Sequence, residues 1–215
     1  MLKIAHRGYS KHHKENTLSA FNDALNNNFD MIELDIQLDK NNKIIIMHDT
    51  HIDYIPVKSM IYSDMIKHNP DLLLLSTFFQ KFKYTDIKLY FDLKGCDKLA
   101  EILHNFLVKY NINTEKIWFA SFNINHLDIL YKENKEYKLG LITDNNFTLD
   151  IITYIISKYN IQFVCFQWSM LNKQCVNMLK YKQVMVFVYT LENEKLLPLL
   201  NKYDINGIVT DILYN

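Results

Sequence analysis

The chain has 215 residues, 49% hydrophobic and 22% charged, with 24 lysines and arginines against 24 aspartates and glutamates and a formal net charge of +0. That apolar fraction supports one sizeable core, and the length favours a single domain over residues 1–215. Balanced charge with scattered lysines argues against a nucleic-acid footprint and against a polybasic membrane-binding run.

No apolar run approaches the ~18 residues of a transmembrane helix, so no stable membrane insertion is expected. The start, Met-Leu-Lys-Ile-Ala-His-Arg-Gly, has no signal-like apolar region. Cys96, Cys165 and Cys175 lack the spacing of a zinc site or disulfide framework. The expectation is a cytoplasmic protein.

Residues 2–5 form a short apolar strand that ends at His6-Arg7-Gly8. Asn16 or Thr17 can cap a helix whose stripe is Leu18, Phe21 and Leu25. Residues 31–37 then alternate: Ile32, Leu34 and Ile36 share one strand face, Glu33 and Asp35 the other. Two carboxylates side by side repel and lose hydration if buried, and a divalent cation between them is the simplest remedy. A half-exposed strand with a polar outer face is the alternative. Residues 39–42 signal a turn, and 44–47 run back as a hairpin arm to His48-Asp49.

From 50 to 86, Pro56 and Pro70 interrupt short apolar patches, which predicts an excursion of loops and short helices. Further strands are expected at 88–93, 117–121, 139–142, 163–166, 184–190 and 207–210. Between them lie helical patterns at 99–110, 125–133, 149–159, 173–180 and 196–203. Without the hairpin arm, eight strands mostly alternate with helices. That pattern predicts an α/β fold, a closed (β/α)8 TIM barrel, with a doubly wound open sheet as the alternative.

Barrel enzymes carry their chemistry at the C-terminal ends of the strands. His6 and Arg7 close the first strand, and Glu33 and Asp35 lie late on the second. His48 and Asp49 end the hairpin arm, and Asp92 and Lys94 close the third strand on one face. Ser121, Thr190 and Asp211 end later strands. Singly, each has a structural explanation: a hydrogen-bonded histidine, a surface ion pair or a cap. Together they would bring acids, histidines, an arginine and a lysine to one mouth. Glu33, Asp35 and Asp92 offer hard oxygens to Mg²⁺ or Ca²⁺. Arg7 and Lys94 can hold a phosphate, and His6 and His48 can exchange protons near neutral pH. The set suits general acid–base chemistry on a phosphodiester. Asp49 is expected to face away from His48. Phe122, Phe166, Trp168 and Tyr189 are either substrate walls or plain core aromatics.

The same residues carry a resemblance. His6-Arg7-Gly8, Glu15-Asn16-Thr17-Leu18-Ser19-Ala20-Phe21, Ile32-Glu33-Leu34-Asp35 and His48-Asp49 resemble the glycerophosphodiester phosphodiesterase family, as do Asp92-Leu93-Lys94, Ala120-Ser121-Phe122, Tyr189-Thr190 and the stretch from Gly207 to Asp211. The resemblance implies a TIM barrel, one divalent cation, and hydrolysis of glycerophosphodiesters to glycerol 3-phosphate and an alcohol, with a small-molecule glycerophosphodiester or a lysophospholipid as the expected substrate. It implies His6 and His48 as the acid–base pair, Glu33, Asp35 and Asp92 as metal ligands, and Arg7 and Lys94 at the phosphate. The chain departs from the family pattern in having Asp92 where glutamate is usual, Lys14 where proline is usual, Asn28 for a glycine, and a shortened segment after Asp49. The aspartate at the third metal position is shared with the sphingomyelinase D-like phospholipases, which release cyclic phosphates. That chemistry, or a non-catalytic barrel that binds metal or phosphate, is the alternative.

Overall fold

Eight βα periods in the sequence become a closed ring of strands. A computed structural model of the protein describes residues 1–82, 85–145 and 147–214. Its barrel strands are β1 (Leu2–Ala5), β2 (Met31–Leu38), β3 (Lys88–Leu93), β4 (Ile117–Ser121), β5 (Lys138–Thr143), β6 (Phe163–Gln167), β7 (Met185–Leu191) and β8 (Gly207–Thr210). Each pairs in parallel with the next, and β8 pairs with β1. The open-sheet alternative fails on that last pairing, which leaves the ring without a free edge.

Around the ring lie α1 (Leu18–Asn26), α2 (Tyr62–His68), α3 (Leu75–Phe82), α4 (Lys98–Lys109), α5 (Ile124–Glu133), α6 (Leu149–Tyr159), α7 (Lys173–Tyr181) and α8 (Leu197–Leu200). Thr17, not Asn16, caps α1, its hydroxyl accepting from the Ala20 amide. The stretch 196–203 holds a shorter helix than its apolar spacing predicts, one turn behind a 3₁₀ turn at Glu194–Leu196.

The excursion after β2 is small but has its own core. Strand Ile44–Ile46 runs antiparallel to β2 and also pairs with Leu73–Leu74. Ile45, Ile52, Val57, Met60, Met65 and Leu72 pack together beneath it. The buried Asp39 carboxylate accepts from the amides of Asn41, Lys43 and Tyr62, which ties the hairpin turn to the start of α2. Among the described residues, no helix is long and apolar enough to cross a membrane.

Strand alternation sorts the barrel into two apolar layers. Ile32, Leu34, Ile36, Phe91, Phe119 and Val164 face the helices. Ile4, Met31, Tyr90, Trp118, Phe163, Cys165 and Phe187 fill the interior. The Phe163 ring lies 5.4, 5.3 and 4.9 Å from the rings of Tyr90, Trp118 and Phe187. Gly140 on β5 makes the space for it: a Cβ there would meet the Phe163 ring at 2.1 Å. Since three aromatic neighbours hold that ring, Gly140→Ala should overpack the core at a cost of roughly 1–3 kcal/mol. At this chain length each kcal/mol shifts Tm by about 2–4 °C. An unchanged melting curve for the variant would show that the aromatic plug can move.

Candidate active site

Where the apolar interior ends, towards the C-terminal strand ends, it becomes acidic. Glu33 and Asp35 point inward from β2, and Asp35 stands in register with Asp92 on β3. The three residues are 4%, 1% and 7% exposed. One carboxylate oxygen from each lies within 4.8 Å of the others. Burial, together with the charges of Asp35 and Asp92, pushes the Glu33 carboxyl well up from its ordinary value. Burial likewise raises Asp92 to about 7, against the pull of Lys94. Asp35 is also penalised by burial, but Lys94 and Arg7 outweigh that penalty and hold it below the usual range.

The buried Asp92 Oδ1 has no hydrogen-bond partner in the protein. A buried acceptor without a partner is costly, and this one belongs to a trio of hard oxygens. The donor set fits Mg²⁺ or Ca²⁺ in chemistry, and it is too poor in nitrogen and sulfur to favour zinc.

Cations flank the trio. Arg7 reaches Glu15 through NH1 at 2.6 Å and Asp35 through Nε at 3.2 Å. Its amide donates to Glu33 Oε2 at 2.7 Å. This grip needs an unusual backbone: Arg7 and Gly8 both lie in the left-handed region, with φ of 55° and 80°. A Cβ on Gly8 would also come within 2.7 Å of the Ala20 carbonyl carbon, so glycine is required where the loop crosses α1. Lys94 sits 2.5 Å from Asp92 and 3.3 Å from Asp35, with its ammonium 5.2 Å from the Phe122 ring centre. Although burial disfavours its charge, Asp92 and Asp35 raise its pKa.

The two histidines stand in different settings. His6 follows β1, and its Nδ1 lies 2.7 Å from Asp211 Oδ1, just past the neighbouring β8. His48 follows the hairpin arm and is more open. Its Nδ1 lies 3.1 Å from Asp49 Oδ1, so the expectation that Asp49 faces away is corrected: the turn brings the adjacent carboxylate back onto the ring. Gln37, on the same β2 face as Glu33 and Asp35, donates to the carbonyls of Met47 and Asp49, both at 2.8 Å, and fixes the segment that carries His48.

His6, Arg7, Glu33, Asp35, His48, Asp92 and Lys94 all line one cavity of about 790 Å³. Phe122 and Tyr189 stand on its wall, with ring centres 6.1 Å apart. Trp168 does not, and its expected substrate contact is corrected. Along β6, Phe163 and Cys165 face inward while Val164 and Phe166 face the helices. Trp168 continues the outward parity into the 3₁₀ turn Trp168–Met170 and packs on the outer core. Phe166 is buried in that same outer layer.

Several supporting residues escape a reading of strand ends alone. The Asn16 amide, at φ 57°, donates to Asp35 Oδ2 at 2.9 Å, and its oxygen accepts from the Asp35 amide at 3.3 Å. Glu15 and Gln37 act likewise on Arg7 and the His48 segment. Of these, only Gln37 carries a signal in the strand pattern, as the next same-face residue after Asp35; Asp211, expected at a strand end, is the partner of His6.

Comparison with known proteins agrees with this geometry. The model of the glycerophosphoryl diester phosphodiesterase family matches residues 6–89. The glycerophosphodiester phosphodiesterase of Caldanaerobacter subterraneus subsp. tengcongensis is 25% identical over 236 residues, covering 98% of this chain and 93% of the relative. A phosphodiesterase of Oleispira antarctica, solved in complex with the product sn-glycerol-3-phosphate, superimposes with a TM-score of 0.86 at 18% identity, covering 98% of this chain and 93% of its own. The glycerophosphodiester phosphodiesterase of Thermotoga maritima gives 0.83 at 22% identity, with 98% and 94% covered. Those two structures share the fold. The family model spans both histidines and the acidic strand β2, and a relative aligns along nearly the whole chain, so the chain is similar to the glycerophosphoryl diester phosphodiesterase family at the residues that build this cavity.

Proposed function

We propose that the protein hydrolyses small glycerophosphodiesters to glycerol 3-phosphate and an alcohol. One observation carries this reading: two histidines, an arginine and a lysine line the same cavity as three buried carboxylates. A phosphodiester needs its attacking hydroxyl deprotonated and its leaving alkoxide protonated. His48, the more open ring, takes the proton from the attacking hydroxyl, which belongs either to water or to the glycerol carbon beside the phosphate ester. His6 gives its proton to the leaving oxygen. Arg7 and Lys94 hold the phosphate oxygens, Arg7 through a planar fork and Lys94 as a point charge. A divalent cation held by Glu33, Asp35 and Asp92 would neutralise charge developing on the phosphate. The free cysteines Cys96, Cys165 and Cys175 suit a reducing compartment, and we assign the protein to the cytoplasm.

The deciding assay supplies glycerophosphocholine and glycerophosphoglycerol with Mg²⁺ or Ca²⁺ and couples glycerol 3-phosphate to an enzymatic readout. Release of glycerol 3-phosphate is expected. Accumulation of a cyclic phosphate from a lysophospholipid, without glycerol 3-phosphate, would move the protein to the sphingomyelinase D-like chemistry. Cation binding with no turnover of any diester would make it a binding barrel.

A further inference from the structure

The two histidines are backed by carboxylates of different quality. Asp211 Oδ1 lies 2.7 Å from His6 Nδ1 and also accepts from the Ser10 hydroxyl at 3.0 Å. The side chains of His6 and Asp211 are 19% and 29% exposed; those of His48 and Asp49 are 38% and 71% exposed. Water screens the second pair and competes for it, while the first is held from two sides of the barrel seam. Burial penalises the Asp211 carboxylate, but the hydrogen bond and charge of His6, the Ser10 hydroxyl and Arg7 hold its pKa below the ordinary value. Asp211 is therefore an anion at working pH and can only accept at His6 Nδ1.

That single constraint fixes the ring. The proton must sit on Nδ1, which leaves Nε2 as the nitrogen available to the cavity. An anion behind the ring also offsets the positive charge present when Nε2 holds a second proton. Resting on the phosphodiesterase reading above, we propose that Asp211, seconded by Ser10, is the positioning residue that makes His6, and not His48, the proton donor to the leaving alkoxide. In the step, the phosphorus–oxygen bond to the leaving alcohol breaks and its electron pair takes the Nε2 proton of His6. A new phosphorus–oxygen bond forms from the hydroxyl whose proton passes to His48. His48 then releases the proton it took to solvent and His6 takes one back from solvent, so that both rings return to their starting states.

The test compares Asp211→Ala and Asp211→Asn on two glycerol diesters. One leaves as glycerol, which must be protonated; the other leaves as 4-nitrophenolate, which need not be. On the glycerol diester, kcat should fall by about 10²-fold for the alanine variant and at least about 10-fold for asparagine, which retains an acceptor without the charge. KM should stay within about 3-fold, since positioning acts on the transition state more than on binding. On the nitrophenyl diester both variants should stay within about 3-fold of wild type. Melting temperature and Mg²⁺-induced stabilisation should be retained. Nitrogen-15 spectra of the histidine rings should show His6 as the Nδ1–H tautomer at alkaline pH in wild type and a mixture in Asp211→Ala, a signature that needs no turnover. Equal losses on both diesters, or a loss confined to KM, would overturn the relay. An unchanged His6 tautomer in the alanine variant would do the same. Failure of the wild type to cleave either diester would instead overturn the phosphodiesterase reading on which the relay rests.

Discussion

Excess EDTA is expected to abolish turnover, and Mg²⁺ or Ca²⁺ to restore it, because Glu33, Asp35 and Asp92 form a cluster that is unfavourable without a cation. A ligand present at 100 times its Kd adds about 2.7 kcal/mol to stability. At about 2–4 °C per kcal/mol, saturating cation should raise Tm by roughly 5–10 °C. The gain has a defined pH dependence. Burial lifts Asp92 to about 7 and raises Glu33, so in the metal-free protein both carboxyls favour their protonated forms. For such groups the folded pKa exceeds the unfolded one: their contribution is intact below about pH 4 and is lost as pH rises towards 7. Cation binding must also displace these protons. The stabilisation by Mg²⁺ should therefore be larger at pH 8 than at pH 5. The variants separate by sign. Glu33→Gln replaces a buried carboxyl that is costly to ionise beside Asp35 and Asp92 with a neutral isostere, and should leave the metal-free protein as stable as wild type or more so. Asp35→Asn strips Arg7 and Lys94 of their shared partner and should destabilise it. Both should lose the Mg²⁺-induced shift. Full activity in excess EDTA, with metal content measured, would remove the cation from the mechanism.

The contrast between β2 and the mouth shows how far the sequence could be read. Residues 31–38 are all buried, yet their alternation is legible because one face is apolar and the other carries acids. Period two survives burial on both sides when the inside of a barrel is polar at one end. The eight-strand count followed from the same periodicity, and it required setting aside the hairpin arm, which pairs antiparallel to β2 outside the ring. Chemistry at strand ends was legible for the same reason, since fold class alone says which end of each strand forms the mouth.

Long-range partners were not legible. His6 and Asp211 stand 205 residues apart and meet only because β1 pairs with β8. Local sequence carries no signal for that closure beyond the strand count. Asn16 was read as one of two possible helix caps; Thr17 takes that place, and Asn16, with a left-handed backbone, turns its amide onto Asp35 instead. Trp168 looked like a wall residue by position, but strand parity, extended one residue past β6, sends it to the outer core. Parity was a stronger guide than proximity to a strand end, and it was available in the sequence.

His6→Ala and His48→Ala should each lower kcat by at least about 10²-fold on a glycerol diester, since a positioned acid or base contributes typically about 10²–10⁴-fold. The fold should persist in both: neither ring belongs to the apolar clusters, and His6 and His48 line the open cavity. Cation-induced stabilisation should persist as well, because neither histidine is among the three carboxylates that would hold the ion. Because one ring must begin neutral and the other protonated, the pH–rate profile should be bell-shaped. The two act on one proton path, so the double variant should be little worse than the worse single one. A nitrophenolate leaving group should then divide them. It spares the donor and still requires the base, so His6→Ala should recover most of its rate and His48→Ala should not. Similar recovery by both variants would refute the division of labour. Near-full activity of either on the glycerol diester would make that histidine structural, and a two-histidine mechanism could not stand. The asymmetry in the structure favours the first outcome, since the ring with the sheltered carboxylate is the one best able to hold a proton until the phosphorus–oxygen bond breaks.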